Sequence, residues 1–502
     1  MNKLMKINII FILCFIAMIV APLLFSNRVS NKMSSAENRY LASFPKLLDE
    51  KTGNVNRNFP SGFNSWLKDN IGFRDFFVKM NADIDYRILK TSPSPLVKIG
   101  REGWFFYNND NNIEIASGNY PLNKETLVAI KNEQESIQKA LEKKGIEYVL
   151  VLTPSKVSIY PEKIEGGNFK VMETPIDIVE EYLKENTTIK VINTKDVLLN
   201  AKENGEQVFN KTDTHWNEEG AYIGYKKVIN ELNSWGVLKS SEVKVNKIQS
   251  TYKGEFSSMM GNVSLLPPEY INATEIVSPN AVTVENDELM NLIQTEQQYD
   301  NFGHGGNRIY KNLSQQGKNV LMYGDSFFGG WKLPDLFAEN SSDFTYVWSD
   351  RIKGSIVDKI KPNVVIFERT ERYITTLAKQ ADPVLLYGKL DNPSAKIISH
   401  NTPNEIKRGE KYDINVTVKN TTNEAWSSKR NIKLCIWQDG QDYGFRVNLP
   451  ENFELKPNEE YTFTLKDFQA SPNNSTYLEY QMVEEGIAYF GEKKRTDIIV
   501  KD

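Results

Sequence analysis

The sequence predicts an α/β sandwich with a parallel sheet, followed by a C-terminal all-β sandwich and preceded by an N-terminal transmembrane helix. Three observations carry this. From Asn123 onward, segments of helical periodicity alternate with short apolar runs, the signature of helices crossing over a parallel sheet. Past residue 390 that alternation gives way to short period-two segments separated by Asn, Pro, Gly and Lys turns. Ile7 to Phe25 contains no charged residue. The expected organisation is a signal anchor over 1–26, a stalk over 27–60, an α/β domain over 61–390 and an all-β accessory sandwich over 391–502.

Composition sets the limits. A chain of 502 residues with 40% hydrophobic and 11% aromatic residues suits two or three globular domains with a real core. A net charge of −4, without a long basic run, argues against a general nucleic-acid binder. The two cysteines, Cys14 and Cys435, fall in regions not expected to meet, so no disulfide is predicted.

In chain order, the apolar stretch comes first. As a helix its nineteen residues span about 28 Å, close to the hydrocarbon thickness of a bilayer. Lys3 and Lys6 precede it, favouring a cytoplasmic N-terminus, with Arg28 and Lys32 opposing that bias. No small-x-small cleavage site follows, so a retained anchor is expected, with the bulk of the chain outside the membrane. Phe59–Ile71 and Arg74–Leu89 read as helices, and Gly100–Tyr107 as a strand or hairpin. Helices are expected over 127–144 (closed by Gly145), 176–185 and 221–235. Strands are expected over 148–152, 190–193, 320–323 and 364–367. Ligands in such sheets bind beyond the carboxyl ends of the strands. Both Thr153-Pro154-Ser155-Lys156 and Asp325-Ser326 follow strands, so one cleft is expected.

Two stretches carry chemistry. In Lys211-Thr212-Asp213-Thr214-His215-Trp216-Asn217, an aspartate stands two residues before one of only three histidines. In an extended loop residues i and i+2 share a side, so Asp213 reaches His215 and selects the tautomer that presents its other nitrogen as a base. Asn217 is placed to cap the next helix, with Glu218 and Glu219 in its first turn. The second stretch, Leu321-Met322-Tyr323-Gly324-Asp325-Ser326-Phe327, puts a serine where a strand ends and a helix starts, with backbone N–H groups at hand for an oxyanion. Taken singly, each motif equally describes a helix cap or a packed histidine. Together they predict that Asp213, His215 and Ser326 meet as an acyl-transfer triad.

Several further boxes occur in order: Glu37-Asn38-Arg39 with Pro45, Asp69-Asn70-Ile71-Gly72-Phe73-Arg74-Asp75, Gly100-Arg101-Glu102-Gly103-Trp104-Phe105-Phe106, Thr153-Pro154-Ser155-Lys156 and Glu371-Arg372. With the two motifs above, they make residues 36 to 390 resemble the permuted SGNH-hydrolase family of alginate acetylation proteins and PatB-type cell-wall polysaccharide O-acetyltransferases. In ordinary SGNH hydrolases the serine box comes first; here the Asp/His box does. The resemblance implies an SGNH-like three-layer sandwich and an extracytoplasmic O-acetyltransferase acting on a cell-surface polysaccharide. It also implies a membrane-bound O-acyltransferase as acetyl supplier. One departure is Gly254-Glu255-Phe256 where Gly-Asp-Leu is expected, which leaves the role of that acid open.

Tyr323, Lys156 and Arg308 are candidates for the cleft or the oxyanion contacts. Asn301–Arg308 reads as a glycine-rich loop, with His304 at its tip. Three histidines without close acidic or thiol partners beyond Asp213 predict no metal site, and no glycine pattern matches a nucleotide fingerprint, so no cofactor is expected. In the C-terminal module strands are expected over 412–418, 432–437, 444–449, 461–465 and 477–483, and Asn-Val-Thr-Val-Lys-Asn at 415–420, with Trp426 and Pro457, resembles the immunoglobulin-like modules of bacterial surface proteins. Trp426 and Tyr443 are candidates for stacking on sugar rings, as is Trp437, for which an inter-sheet core position is an equal reading. Two other functions stay open at this level: a polysaccharide acetyl esterase using the same triad, and a non-catalytic scaffold of a polysaccharide export complex.

Overall fold

Seven strands make the central sheet: β1 (Glu147–Thr153), β2 (Lys190–Asn193), β3 (Ala281–Thr283), β4 (Arg308–Asn312), β5 (Asn319–Gly324), β6 (Asp343–Trp348) and β7 (Val364–Thr370). Their spatial order is β2-β1-β7-β5-β6-β4-β3. Every neighbouring pair from β2 to β6 is parallel, while β4 runs antiparallel to both β6 and β3. The computed structural model describes residues 3–29, 32–34, 39–48, 56, 58–297, 306–314, 317–407, 409–451, 453–469, 477–485 and 487–501, without the side chains of 3–7, 17 and 19.

Alternation along the strands sorts side chains onto two faces. Val149, Val151, Met322, Tyr346 and Ile366 pack with helices Glu218–Ser234 and Leu333–Glu339. Tyr148, Leu150, Leu321, Tyr323 and Phe367 pack on the other side with Lys124–Glu142, Pro175–Asn186 and Gly354–Ile360. The result is a three-layer α/β/α sandwich. Its helices have legible ends. Asn123 caps Lys124–Glu142 by accepting from Thr126 N–H at 2.8 Å. Gly145 closes that helix at φ +71°, where a side chain is strained.

Strands β3, β4 and β6 are additions to the expected set. In particular, Arg308 begins strand β4, which is paired on both sides, rather than ending a loop. Residues 301–305, including His304, lie outside the described residues, as do Glu37 and Asn38. A hairpin, Val245–Tyr252 with Glu269–Ile276, was also not anticipated; both its strands alternate weakly because they stand largely exposed.

The N-terminal segment Lys3–Leu24 is an α-helix with Pro22 inside it. Among the described residues no helix is long and apolar enough to cross a membrane. The expected anchor falls partly on residues 1–2 and on side chains outside the described set. The polar stretch after it does not stand free as a stalk. Asn27 N–H donates to Asn70 O at 2.7 Å and Ala42 N–H to Asp69 at 2.9 Å. Arg39 forks onto both oxygens of Asp69 at 2.8 and 2.7 Å. That hydrogen-bonded pairing holds the Asp69 carboxyl down at about 2.

The C-terminal module pairs a three-stranded sheet (Ala395–His400, Tyr412–Asn420, Glu460–Phe468) with a four-stranded one (Gln441–Asn448, Ile432–Gln438, Tyr477–Glu484, Ala488–Asp497). Ile414, Val416, Leu434, Ile436 and Phe463 fill the space between them, around Trp426. This corrects the expectation for Trp426. It is 0% exposed, and its indole N–H is bonded to Thr422 Oγ1 at 3.0 Å, so no sugar reaches it. Tyr443 stands on the surface. Trp437, on the opposite parity to Ile436, is half-buried against Tyr489 instead of lying between the sheets.

Candidate active site

The Asp/His motif sits in a turn closed by a bridge between Phe209 and Trp216, tighter than the extended loop expected. Buried groups gather it from both sides. Lys156 Nζ donates to the carbonyls of Asn210, Lys211 and Asp213 at 3.0, 3.2 and 2.5 Å. The Glu269 carboxylate accepts from the backbone N–H groups of Lys211 and Thr212, both at 2.7 Å. A cation on the carbonyls and an anion on the amides fold the backbone more sharply than a strand allows. Asn217 then caps Glu218–Ser234, accepting from Gly220 N–H at 2.9 Å.

Within this turn His215 Nδ1–H donates to Asp213 Oδ1 at 2.6 Å, and the His215 backbone N–H meets the same oxygen at 3.0 Å. Oδ2 accepts from the Tyr252 hydroxyl at 2.8 Å and from Glu255 N–H at 3.0 Å. Burial alone raises a carboxyl's pKa, but these donors and the neighbouring imidazole hold Asp213 far below the usual range. Burial lowers His215, and the bond and charge of Asp213 together with the charge of Glu255 more than reverse that, so its pKa is raised.

The nucleophile candidate comes from the end of β5. Asp325 caps the short helix Ser326–Gly329 by accepting from Phe327 N–H at 3.0 Å. Thr370 holds the same carboxylate through its N–H at 3.2 Å and its hydroxyl at 2.9 Å. The Asp325 N–H donates to buried Glu368 at 3.1 Å. Burial and the adjacent Asp325 charge push the Glu368 carboxyl well above its ordinary value. Ser326 is thereby aimed outward, half-buried, with its Oγ 2.7 Å from His215 Nε2. Trp216 ties the two motifs together, its indole N–H donating to Phe327 O at 3.2 Å. Among the described residues the Ser326 N–H has no protein acceptor, which leaves it available to an oxyanion.

Asp213, His215 and Ser326 are therefore brought into one hydrogen-bonded line. The other three candidates are not part of it. Tyr323 points to the opposite face of the sheet, fully buried, stacked on Phe367 and bonded to Lys353 O at 3.4 Å. The parity of a strand sends neighbours to opposite sides, so a residue three before the serine lies in the core. Lys156 lies beneath the histidine turn and not in the cleft. It is surrounded by the rings of Trp104, Phe106 and Phe256, and burial lowers its ammonium to about 7. Arg308 is on the antiparallel strand β4, its guanidinium 3.8 Å from Asp335 and 40% exposed.

Residues outside the candidate set complete the surroundings. Tyr252 comes from the hairpin and meets Trp331 edge-on at 5.2 Å. Trp331 stands 5.8 Å from His215 with its backbone in the left-handed region at φ 57°, costly for a bulky residue. Arg372 faces the rings of Tyr107 and Phe327. Glu255, the open point of the sequence, lies with its carboxylate 3.7 Å from His215 Nδ1 and accepts from Thr214 N–H at 3.2 Å. Asp213, His215 and Glu255 also form a cluster with metal-ligand spacing, their atoms within 4.8 Å of one another. Both oxygens of that aspartate are already used by four protein donors.

Residues 97–300 match the family model of the SGNH hydrolase-like domain of the acetyltransferase AlgX, a stretch that includes Asp213 and His215 and ends before Ser326. A probable alginate O-acetylase AlgJ of Pseudomonas fluorescens is 25% identical over 318 residues, covering 58% of this chain and 72% of that protein. Its counterpart in Pseudomonas aeruginosa is 26% identical over 185 residues, 36% of this chain and 44% of the relative. Among solved structures, the O-acetyltransferase domain of Pseudomonas putida AlgJ aligns at TM-score 0.37 and 16% identity, over 57% of this chain and 93% of that one. Pseudomonas aeruginosa AlgX aligns at TM-score 0.42 and 15% identity, over 77% and 93%.

Proposed function

We propose that this chain, a member of the SGNH hydrolase-like family of alginate acetylation proteins and PatB-type acetyltransferases, moves acetyl groups to hydroxyls of a polysaccharide through an acyl-serine. The single observation that supports this most is the unbroken line Asp213–His215–Ser326, with bonds of 2.6 and 2.7 Å.

In the first half-reaction Ser326 Oγ attacks the carbonyl carbon of a bound acetyl donor while His215 Nε2 accepts the hydroxyl proton. Asp213 holds the imidazole by Nδ1 and stabilises the imidazolium that forms. The free Ser326 N–H receives the developing oxyanion. Collapse expels the donor's leaving group, which takes the proton back from Nε2. In the second half a sugar hydroxyl attacks the acetyl-serine, gives its proton to Nε2, and leaves as the acetyl ester as Ser326 is reprotonated. Because the pKa of His215 is raised, the neutral base prevails only above that elevated value.

On the same reading the acceptor is a cell-surface polysaccharide and a membrane-bound O-acyltransferase supplies the acetyl. The apolar N-terminal helix holds the chain in the cell membrane in a single pass, with its bulk outside the cytoplasm. The lysines before that helix support its orientation, and the alginate O-acetylase names of the relatives support a polysaccharide acceptor. The test is incubation with an activated acetyl ester and candidate oligosaccharides. Acetylated oligosaccharide, absent with Ser326→Ala, supports transfer. Release of acetate alone, with no acceptor ever modified, overturns transfer in favour of an esterase.

A further inference from the structure

The helix Arg74–Asp83, prolonged by the π-helical turn Ile84–Ile88, is packed on one side only. Its inner side is seated in the protein: Ala82 and Tyr86 join a small core with Val97 and Phe105, and Arg87 donates to Leu265 O at 3.2 Å. The outer side carries Phe73, Phe76, Phe77, Met80, Ile84 and Ile88, which recur at helical spacing and fall on one stripe. Their exposure runs from 39% for Ile84 to 70% for Ile88. A continuous stripe of six large apolar groups is more than a protein surface leaves in water without a partner.

What covers it is indicated by where it begins. The apolar helix Lys3–Leu24 ends against the start of this element. Gly72 N–H donates to Pro22 O at 2.7 Å, and the Phe25 and Phe73 rings stand 5.3 Å apart. That apolar helix is itself uncovered on all sides: consecutive residues from Ile9 to Leu13 are exposed, Phe11 at 71%. A helix that is apolar all round belongs in a protein core or in lipid, and no described part of this protein encloses it. The clasp of Asn27 and Ala42 onto Asn70 and Asp69 then keeps the two helices at a fixed joint instead of a free tether.

We propose that the Phe73–Ile88 stripe lies on the lipid surface next to the apolar helix, so that the catalytic domain is seated against the bilayer and does not swing from a stalk. This rests on the preceding reading that the N-terminal helix enters a membrane. Seating would hold the catalytic domain at a constant height above the membrane.

The test uses the full chain with Cys14→Ser, carrying a single environment-sensitive fluorophore at Phe76→Cys, Ile84→Cys or, as the water-facing control, Tyr270→Cys (89% exposed). The native Cys435 is buried and remains. Each protein is reconstituted into vesicles of phosphatidylethanolamine and phosphatidylglycerol and floated. Blue-shifted emission at 76 and 84, with most of it quenched by spin-labelled lipid and none at 270, is the expected result. Emission at 76 and 84 like that at 270, in protein that floats, overturns the seating and leaves the anchor standing. Blue-shifted emission that spin-labelled lipid does not quench overturns it in favour of a protein partner. Failure of the full chain to float overturns the anchor, and the seating with it.

Discussion

Glu255 and His215 are neighbours without a hydrogen bond: the carboxylate lies 3.7 Å from Nδ1, which is already given to Asp213 at 2.6 Å. Glu255 therefore acts on the imidazole through charge. Replacing it with glutamine keeps the amide–Thr214 contacts and removes the anion, so the pKa of His215 falls. The ascending limb of the pH–rate profile for an activated acetyl ester is expected to move to lower pH in Glu255→Gln. A limb that stays in place or moves up contradicts the electrostatic role.

Tyr252 supplies one of the two donors to Asp213 Oδ2, at 2.8 Å. A hydrogen bond to a charged group is worth about 1.5–3 kcal/mol, and 1.4 kcal/mol is a factor of ten. Tyr252→Phe is expected to lower kcat about tenfold while leaving the KM for a small ester nearly unchanged. Wild-type kcat in that variant would remove the hairpin from the account of the triad.

Gly254 is where the chain passes closest to the histidine turn. A Cβ there would stand 2.0 Å from Thr212 O and 2.5 Å from Thr212 Oγ1, with backbone on one side and a bonded hydroxyl on the other. Gly254→Ala is expected to push the turn off Lys156 and Glu269, costing a few kcal/mol (about 1–3 for overpacking) and most of the activity. Thermal unfolding and ester turnover measured together check this; a variant of unchanged stability and rate refutes it.

Lys156 places its ammonium on three carbonyls of the turn and, among the described residues, on no carboxylate. Lys156→Met leaves the Asn210 and Asp213 carbonyls without this donor, while Lys211 O keeps the Phe105 N–H at 2.9 Å, and is expected to destabilise the fold by about 1–3 kcal/mol for each group left unsatisfied, moderated by relaxation. The pH dependence has a definite sign. Burial holds the folded-state pKa at about 7, below its ordinary 10.5, so between those values the unfolded chain binds the extra proton. Folding stability of the wild type relative to Lys156→Met should therefore rise as pH increases from about 7 toward 10. A relative stability that falls over that range contradicts the assignment.

The legible parts of this site were those written in local sequence. Asp213-x-His215 is a short-range contact, and a serine after an apolar run marks a strand end, so both motifs could be found without knowing the sheet. What joins them from elsewhere could not be found that way. Tyr252, Glu255 and Glu269 arrive on the hairpin and the turn between its strands, whose exposed, weakly alternating residues leave no periodicity to read. Lys156 reads as a cleft residue because its box follows a strand end, where ligands bind in such sheets; the turn's carbonyls instead draw it beneath the histidine and make its burial tolerable. Tyr323 and Trp426 failed for a different reason. Sequence marks an aromatic residue near a site, but only strand parity and sheet pairing decide whether it faces ligand or core. The strand Asp343–Trp348 went unrecognised because Thr345 interrupts its apolar run, although that threonine is buried too.

Whether Ser326 carries the acetyl group is decided by peptide mass spectrometry after a brief exposure to an activated acetyl ester and an acid quench. The expected result is one acetyl on the peptide containing Ser326, lost on chase with an acceptor sugar and never formed in Ser326→Ala. Turnover that proceeds with Ser326 unmodified, or an acetyl found only on another residue, would contradict it.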